Sequence, residues 1–241
     1  MTGDFESFAA ARGEGARFTD WLRERCGDDW QAATEHRFTR ELGAEDLDDA
    51  VFERYLVQDY AFLNTLVGTF GHAVGEAPTM AAKSRLVDFL GVLTADENDY
   101  FERSFAALGV PETEYADPAL EPVTRAFEDL LRRAAHEGGY PETLAVLVPA
   151  EWVYLEWASA VADQEPSRFY LAEWIDLHTT AGFESFVGWL RSELDEAGAA
   201  AAPRRQTRLD RLFRRTVELE VAFFDMAYGE TTALAGGWDR W

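Results

Sequence analysis

The sequence has one cysteine, one lysine and no long uncharged apolar run, and each shortage narrows what the chain can be. A lone Cys26 excludes an intramolecular disulfide and any multi-cysteine zinc site. No stretch approaches the roughly 18 apolar residues of a membrane-spanning helix. The start, MTGDFESFAAARGEGARF, lacks the basic first segment, apolar stretch and small-residue cleavage site of a secretory leader, so a cytoplasmic location is expected. Lys83 is the only lysine among 22 basic residues, against 45 acidic ones, for a formal net charge of −23. A surface this acidic repels phosphate backbones and anionic lipid, which speaks against nucleic-acid and membrane partners. Lysine depletion with excess acid resembles the adaptation of a cytosolic protein to high salt.

What is present points to a packed helical domain. At 241 residues, with 47% hydrophobic and 14% aromatic residues, the chain can bury one sizeable core. Leu171, Trp174, Ile175, His178, Gly182, Phe186 and Trp189 recur at steps of three and four, as do Leu209, Leu212, Phe213, Thr216, Glu220, Phe223 and Ala227, the period of an amphipathic helix. No segment sustains a two-residue alternation, so no strand is expected. The pattern predicts about seven helices, near 15–31, 47–74, 79–108, 119–137, 142–163, 167–195 and 204–228. Turn chemistry separates them at Gly75 to Pro78, Pro111 to Pro122, Gly138 to Pro141, Gln164 to Pro166 and Gly198 to Pro203. Asp46 is the expected cap of the second helix, with Asp48 and Asp49 in its first turn. The tail after Gly229, ending in GGWDRW, is expected either to pack by its tryptophans or to fray. No linker divides the chain, so 1–241 reads as a single all-α domain.

Polar residues interrupt the apolar stripes at four places. Asp59 sits among Phe52, Tyr55, Leu56, Phe62, Leu63 and Leu66; Glu151 among Leu147, Val148, Tyr154 and Leu155; His178 between Trp174 and Phe186; Glu220 between Phe213 and Phe223. A buried carboxylate without a partner costs several kcal/mol or changes its pKa. Two explanations fit each position: a structural network with an arginine or a tyrosine hydroxyl, or a shared pocket. A di-iron carboxylate site also deserves a test, because helical bundles build such sites from Glu-x-x-His sets. None of His36, His72, His136 and His178 completes one; Glu97 is followed three residues on by Tyr100, and Glu156 by Ser159. The Gly-x-Ser-x-Gly and P-loop patterns are absent.

Four stretches then resemble one family: FERYLVQDYAFL at 52–63, LAVLVPAEWVYLEWA at 144–158, FYLAEWIDLH at 169–178 and ELEVAFFDMAY at 218–228, with WQAATEHRFTRELGAEDL at 30–47 as its N-terminal segment. In order and spacing they resemble the TenA (thiaminase II) family, over about residues 15–230. The resemblance implies a haem-oxygenase-like helical bundle. It places the family's pyrimidine-binding aspartate on Asp59, its motif tyrosine on Tyr154 and its C-terminal glutamate on Glu220. Family tyrosines fall on Phe62, Phe127 and His178. The nucleophilic cysteine of Pro-Cys-x-Trp-x-Tyr falls on Ala150, which argues against thiaminase activity and matches a cysteine-lacking branch that uses a glutamate; the adjacent Glu151 is the candidate.

The resemblance therefore implies thiamine-pyrimidine salvage, with hydrolysis of an N-formyl aminomethyl arm on a 4-amino-2-methylpyrimidine. Asp59 is expected to hold the aminopyrimidine edge, with Phe62, Phe127, His178 and Trp152 around the ring. Glu151 or Glu220 would act as general base and Tyr154 as oxyanion donor. No metal or cofactor is expected, and related proteins of this fold suggest a homotetramer or homodimer. The alternatives are a pyrimidine- or thiamine-binding protein or regulator that has lost its nucleophile, and a di-iron oxidase.

Overall fold

Side-chain caps and glycine breaks cut the chain into its helices. The computed structural model describes residues 4–230; no strand occurs among them, and the tail tryptophans Trp238 and Trp241 lie outside them. After α1 (Phe5–Arg12) and α2 (Phe18–Cys26), the chain turns at Gly27 with φ +58° into α3 (Asp28–Thr34). Left-handed backbone favours glycine, so the one helix expected at 15–31 is in fact two. His36 caps α4 (Arg37–Gly43), its Nδ1 accepting from the Phe38 amide. The long α5 (Asp49–Glu76) is capped by Asp48, which accepts from Ala50 N at 2.8 Å. Asp46, the expected cap, stands outside the helix in the turn before it.

The segment expected as a single helix over 79–108 is α6 (Met80–Val92), a π-helical turn (Leu93–Glu97) and α7 (Asn98–Leu108). Thr94 Oγ1 donates to the Leu90 carbonyl one turn back, and a side chain competing for a helix carbonyl loosens the ladder there. Beyond α8 (Glu112–Tyr115) come α9 (Pro122–Glu137) and α10 (Tyr140–Val161). The stretch expected as one helix over 167–195 breaks into α11 (Phe169–Leu177) and α12 (Ala181–Ala199), because Thr180 caps a new start by accepting from Phe183 N. The last helix is α13 (Pro203–Ala227).

α10 is the axis of the bundle. It packs against α13, α12, α9 and α5, and every residue from Glu142 to Val153 is buried. By length and composition it could cross a membrane, but a buried core helix passes the same test and most of α10 lies inside the bundle. Pro149 within α10 has no amide to give the carbonyl four residues back, which weakens the ladder just before Ala150 and Glu151.

Candidate active site

α5, the π-turn, α9, α10, α13 and the α11–α12 junction converge on one cavity. It holds about 50 Å³ of room for water centres; with a water radius added all round, that is a void of roughly 200 Å³, enough for one substituted six-membered ring. Asp59, Glu97, Glu151, Tyr154, His178 and Glu220 supply its polar groups, and Ala150 also faces it. Its apolar wall includes Phe62, Phe127, Phe223 and Trp174, and Val92, partly exposed, stands at the rim. Phe62 and Phe127 pack with ring centroids 4.6 Å apart.

The structure thus brings Asp59, Phe62, Phe127, Glu151, Tyr154, His178 and Glu220 to one cavity. It does not bring Trp152 there. One residue along a helix is a turn of about 100°, so with Glu151 inward Trp152 points elsewhere: its ring meets Trp30 at 4.6 Å, and the Arg191 guanidinium lies 3.6 Å from its centroid. Trp152 is a core and cation–π residue, and the expectation of a stacking role at the substrate is corrected.

Electrostatics follow from burial without compensation. No lysine or arginine lines the cavity among the described residues. Glu97, Glu151 and Glu220 make no side-chain hydrogen bond or ion pair to any described residue. Desolvation, reinforced by the Asp59 charge, raises the Glu151 carboxyl to about 8. Desolvation raises Asp59 to about 7, against the lowering effect of a hydrogen bond from Tyr55. Glu220 is pushed well up by burial and then by Asp59 and Glu151. Burial depresses His178 to about 4, although its Nδ1 lies 2.8 Å from the Trp174 carbonyl; the ring is neutral at ordinary pH. The Tyr55 and Tyr154 hydroxyls are 2.7 Å apart, so Asp59, Tyr55 and Tyr154 form one chain through which protons can be redistributed.

Two polar members escaped the sequence reading. Tyr55 looked like core because it is core, fully buried, with its ring against Trp174 and Phe223 of the cavity wall and its hydroxyl on that of Tyr154. Glu97 carried a legible signal: it continues the stripe Leu86, Phe89, Leu93 at steps of three and four. Cys26 is remote from this chemistry. It is buried in α2, donates weakly to Leu22 O and has its thiol pushed up by desolvation. No group of three or more His, Cys, Asp or Glu side chains among the described residues is arranged to hold a metal ion, so the four carboxyl residues do not form a di-iron cradle.

Residues 24–230 match the TENA/THI-4/PQQC family. The chain belongs to this family. Among similar curated proteins, the aminopyrimidine aminohydrolase of Halalkalibacterium halodurans is 26% identical over 218 residues, covering 88% of this chain and 96% of that protein. The aminopyrimidine aminohydrolase of Helicobacter pylori is 22% identical, covering 87% and 98%. Among solved structures, the TenA homologue from P. horikoshii OT3 superposes with a TM-score of 0.79 at 23% identity, covering 88% of this chain and 99% of that one. That likeness fixes the haem-oxygenase-like helical fold.

Proposed function

We propose that this TENA/THI-4/PQQC chain is a thiamine-pyrimidine salvage hydrolase that cleaves the formyl C–N bond on the aminomethyl arm of a 4-amino-2-methylpyrimidine. The observation that carries the reading is a ring-sized cavity with four carboxyl residues and no cation, in which Ala150 stands beside Glu151. Relatives named aminopyrimidine aminohydrolase support the substrate class. Such a site favours an aminopyrimidine, a hydrogen-bond donor with a basic ring, and disfavours phosphorylated pyrimidines.

The chemistry follows from the positions. Phe62 and Phe127 offer faces for the ring, and Asp59 accepts from the exocyclic amine. Alanine cannot form a covalent intermediate, so water must be the nucleophile. Glu151, a stronger base for its raised pKa, takes a proton from water as the water oxygen bonds to the formyl carbon. Tyr154 donates to the oxyanion that forms. Collapse releases formate and leaves the free amine on the pyrimidine. Glu220 is the second candidate for the base. Neutral His178 packs against Tyr154, centroid to centroid 5.0 Å, and holds that ring in place.

The test is product analysis. Formate released from the formyl-aminopyrimidine supports the enzyme. Binding by thermal shift with no turnover favours a pyrimidine-binding protein instead, a reading to which the missing nucleophile lends weight. If Glu151→Gln keeps full turnover while Glu220→Gln abolishes it, the base is Glu220. The acid excess further supports operation in concentrated salt, read by melting the protein in dilute and molar KCl. Self-association as a dimer or tetramer is read by light scattering at high salt, where acidic repulsion is screened.

A further inference from the structure

A formyl amide presents a second chemical demand besides activated water. The tetrahedral intermediate has to expel an alkylamine, and an unprotonated amide anion is too basic to leave. A second acid–base group must therefore reach the arm nitrogen. We propose that Glu97 is that group, a catalytic general acid that protonates the leaving nitrogen while Glu151 serves the water.

The placement carries the assignment. Glu97 ends the π-helical turn between α6 and α7, and its side chain enters the cavity that Glu151 enters from α10. π-turns inside α-helices are frequently found at functional sites. Glu97 stands at the N-cap position of α7, but its side chain makes no cap hydrogen bond there, pairs with no arginine or lysine among the described residues, and is held by no described donor. It is also the one cavity carboxyl residue that is only half-buried, in a cavity whose wall includes the exposed Val92, whereas Asp59, Glu151 and Glu220 are buried. Glu97 and Glu151 face the same cavity from the π-turn and from α10, so two carboxyl groups on separate elements can serve one reacting carbon. Burial first, and then the Glu151 and Asp59 charges, hold the Glu97 carboxyl well above the ordinary carboxylate range, the direction a general acid needs.

The step balances. The Glu97 proton goes to the arm nitrogen, the C–N electron pair follows it, and the oxyanion collapses to formic acid. Its proton passes to the Glu97 carboxylate, and the proton Glu151 took from water goes to solvent, leaving formate.

The inference rests on the hydrolase reading, and the experiment separates the two. Wild type, Glu97→Gln and Glu151→Gln are compared on the formyl amide and on its S-formyl thioester analogue, whose thiolate leaves unprotonated. Glu97→Gln is expected to lose roughly 100-fold in kcat on the amide, with KM little changed, the scale of a lost general acid, yet to stay near wild type on the thioester. Glu151→Gln is expected to fall on both. Equal losses for Glu97→Gln on amide and thioester, or no loss on the amide, overturn the assignment and leave the hydrolase standing. A wild type inert on the amide overturns the hydrolase reading itself, and the proposal with it. Unchanged melting temperature and pyrimidine binding confirm that the glutamine variant is folded.

Discussion

Two sets of buried acids in this chain are treated in opposite ways. Glu142 on α10 meets Arg205 through two hydrogen bonds, at 3.0 and 2.6 Å. Asp210 on α13 meets Arg25 in the same forked manner at 2.6 and 2.9 Å, and Glu128 on α9 meets Arg132 at 2.9 Å. Glu151 and Glu220, on the same helices as the first two, are buried just as well and meet no arginine. The chain has the means to neutralise a buried carboxylate and withholds them at one place. The difference separates acids that hold helices together from acids that do chemistry, which burial alone cannot do.

The largest expected effect comes from breaking a paired acid. Arg25→Ala strands the Asp210 carboxylate inside the bundle and is expected to cost about 3–5 kcal/mol in chemical unfolding. Replacing both partners by apolar residues of similar volume, as in Arg25→Met with Asp210→Leu, should recover most of that loss. If the single change is harmless, the pair is not what neutralises Asp210, and the contrast between the two sets fails.

The cavity set is expected to answer in reverse. Glu151→Gln removes a desolvated carboxyl that has no partner, so the protein should melt no lower than wild type, while turnover falls roughly 100-fold or more. A marked drop in melting temperature would instead place Glu151 in a structural network.

The pH dependence of stability sharpens the same contrast. Asp59 and Glu151 titrate near 7 and 8 when folded and near 4 when unfolded. The folded state therefore holds more protons between those values, and stability falls as pH rises through that interval, by at most about 1.4 kcal/mol per pH unit per group. His178 works in the other direction: its folded value is depressed to about 4, so stability is lost as pH falls from about 6.5 toward 4. The clean window is thus pH 6.5 to 8, where the melting temperature should decline and Glu151→Gln should flatten the decline. Activity should rise across the same window as the base ionises.

How much of this was legible in the sequence depends on what each residue's neighbours in the chain could reveal. The helical class and the inward acids were legible, because Asp59, Glu151 and Glu220 each interrupt an apolar stripe. Which acids were paired was not, since Arg25 and Asp210 are far apart in the chain and meet only in the fold. Helix breaks were missed where one residue decides them: Gly27 by its left-handed backbone, Thr180 by its cap. Glu97 lay on a readable stripe, but a search for Glu-x-x-His spacing tested it as a metal ligand and not as a cavity wall.

The smallest expected effect concerns two neighbours on α10. Glu151 and Trp152 differ by one position, yet one faces the cavity and the other the Trp30–Arg191 cluster on the far side. Trp152→Phe thins that packing and weakens the cation–π contact, with an expected cost of about 1–2 kcal/mol in stability. Because nothing of Trp152 lines the cavity, kcat/KM should stay within roughly twofold of wild type, less than 0.5 kcal/mol on the transition-state scale. Phe62→Leu is the matched control: it removes an aromatic face inside the cavity, and should raise KM for the pyrimidine. A Trp152→Phe enzyme whose KM rises as far as that of Phe62→Leu would put the tryptophan back at the substrate and reverse the assignment of the two faces of α10.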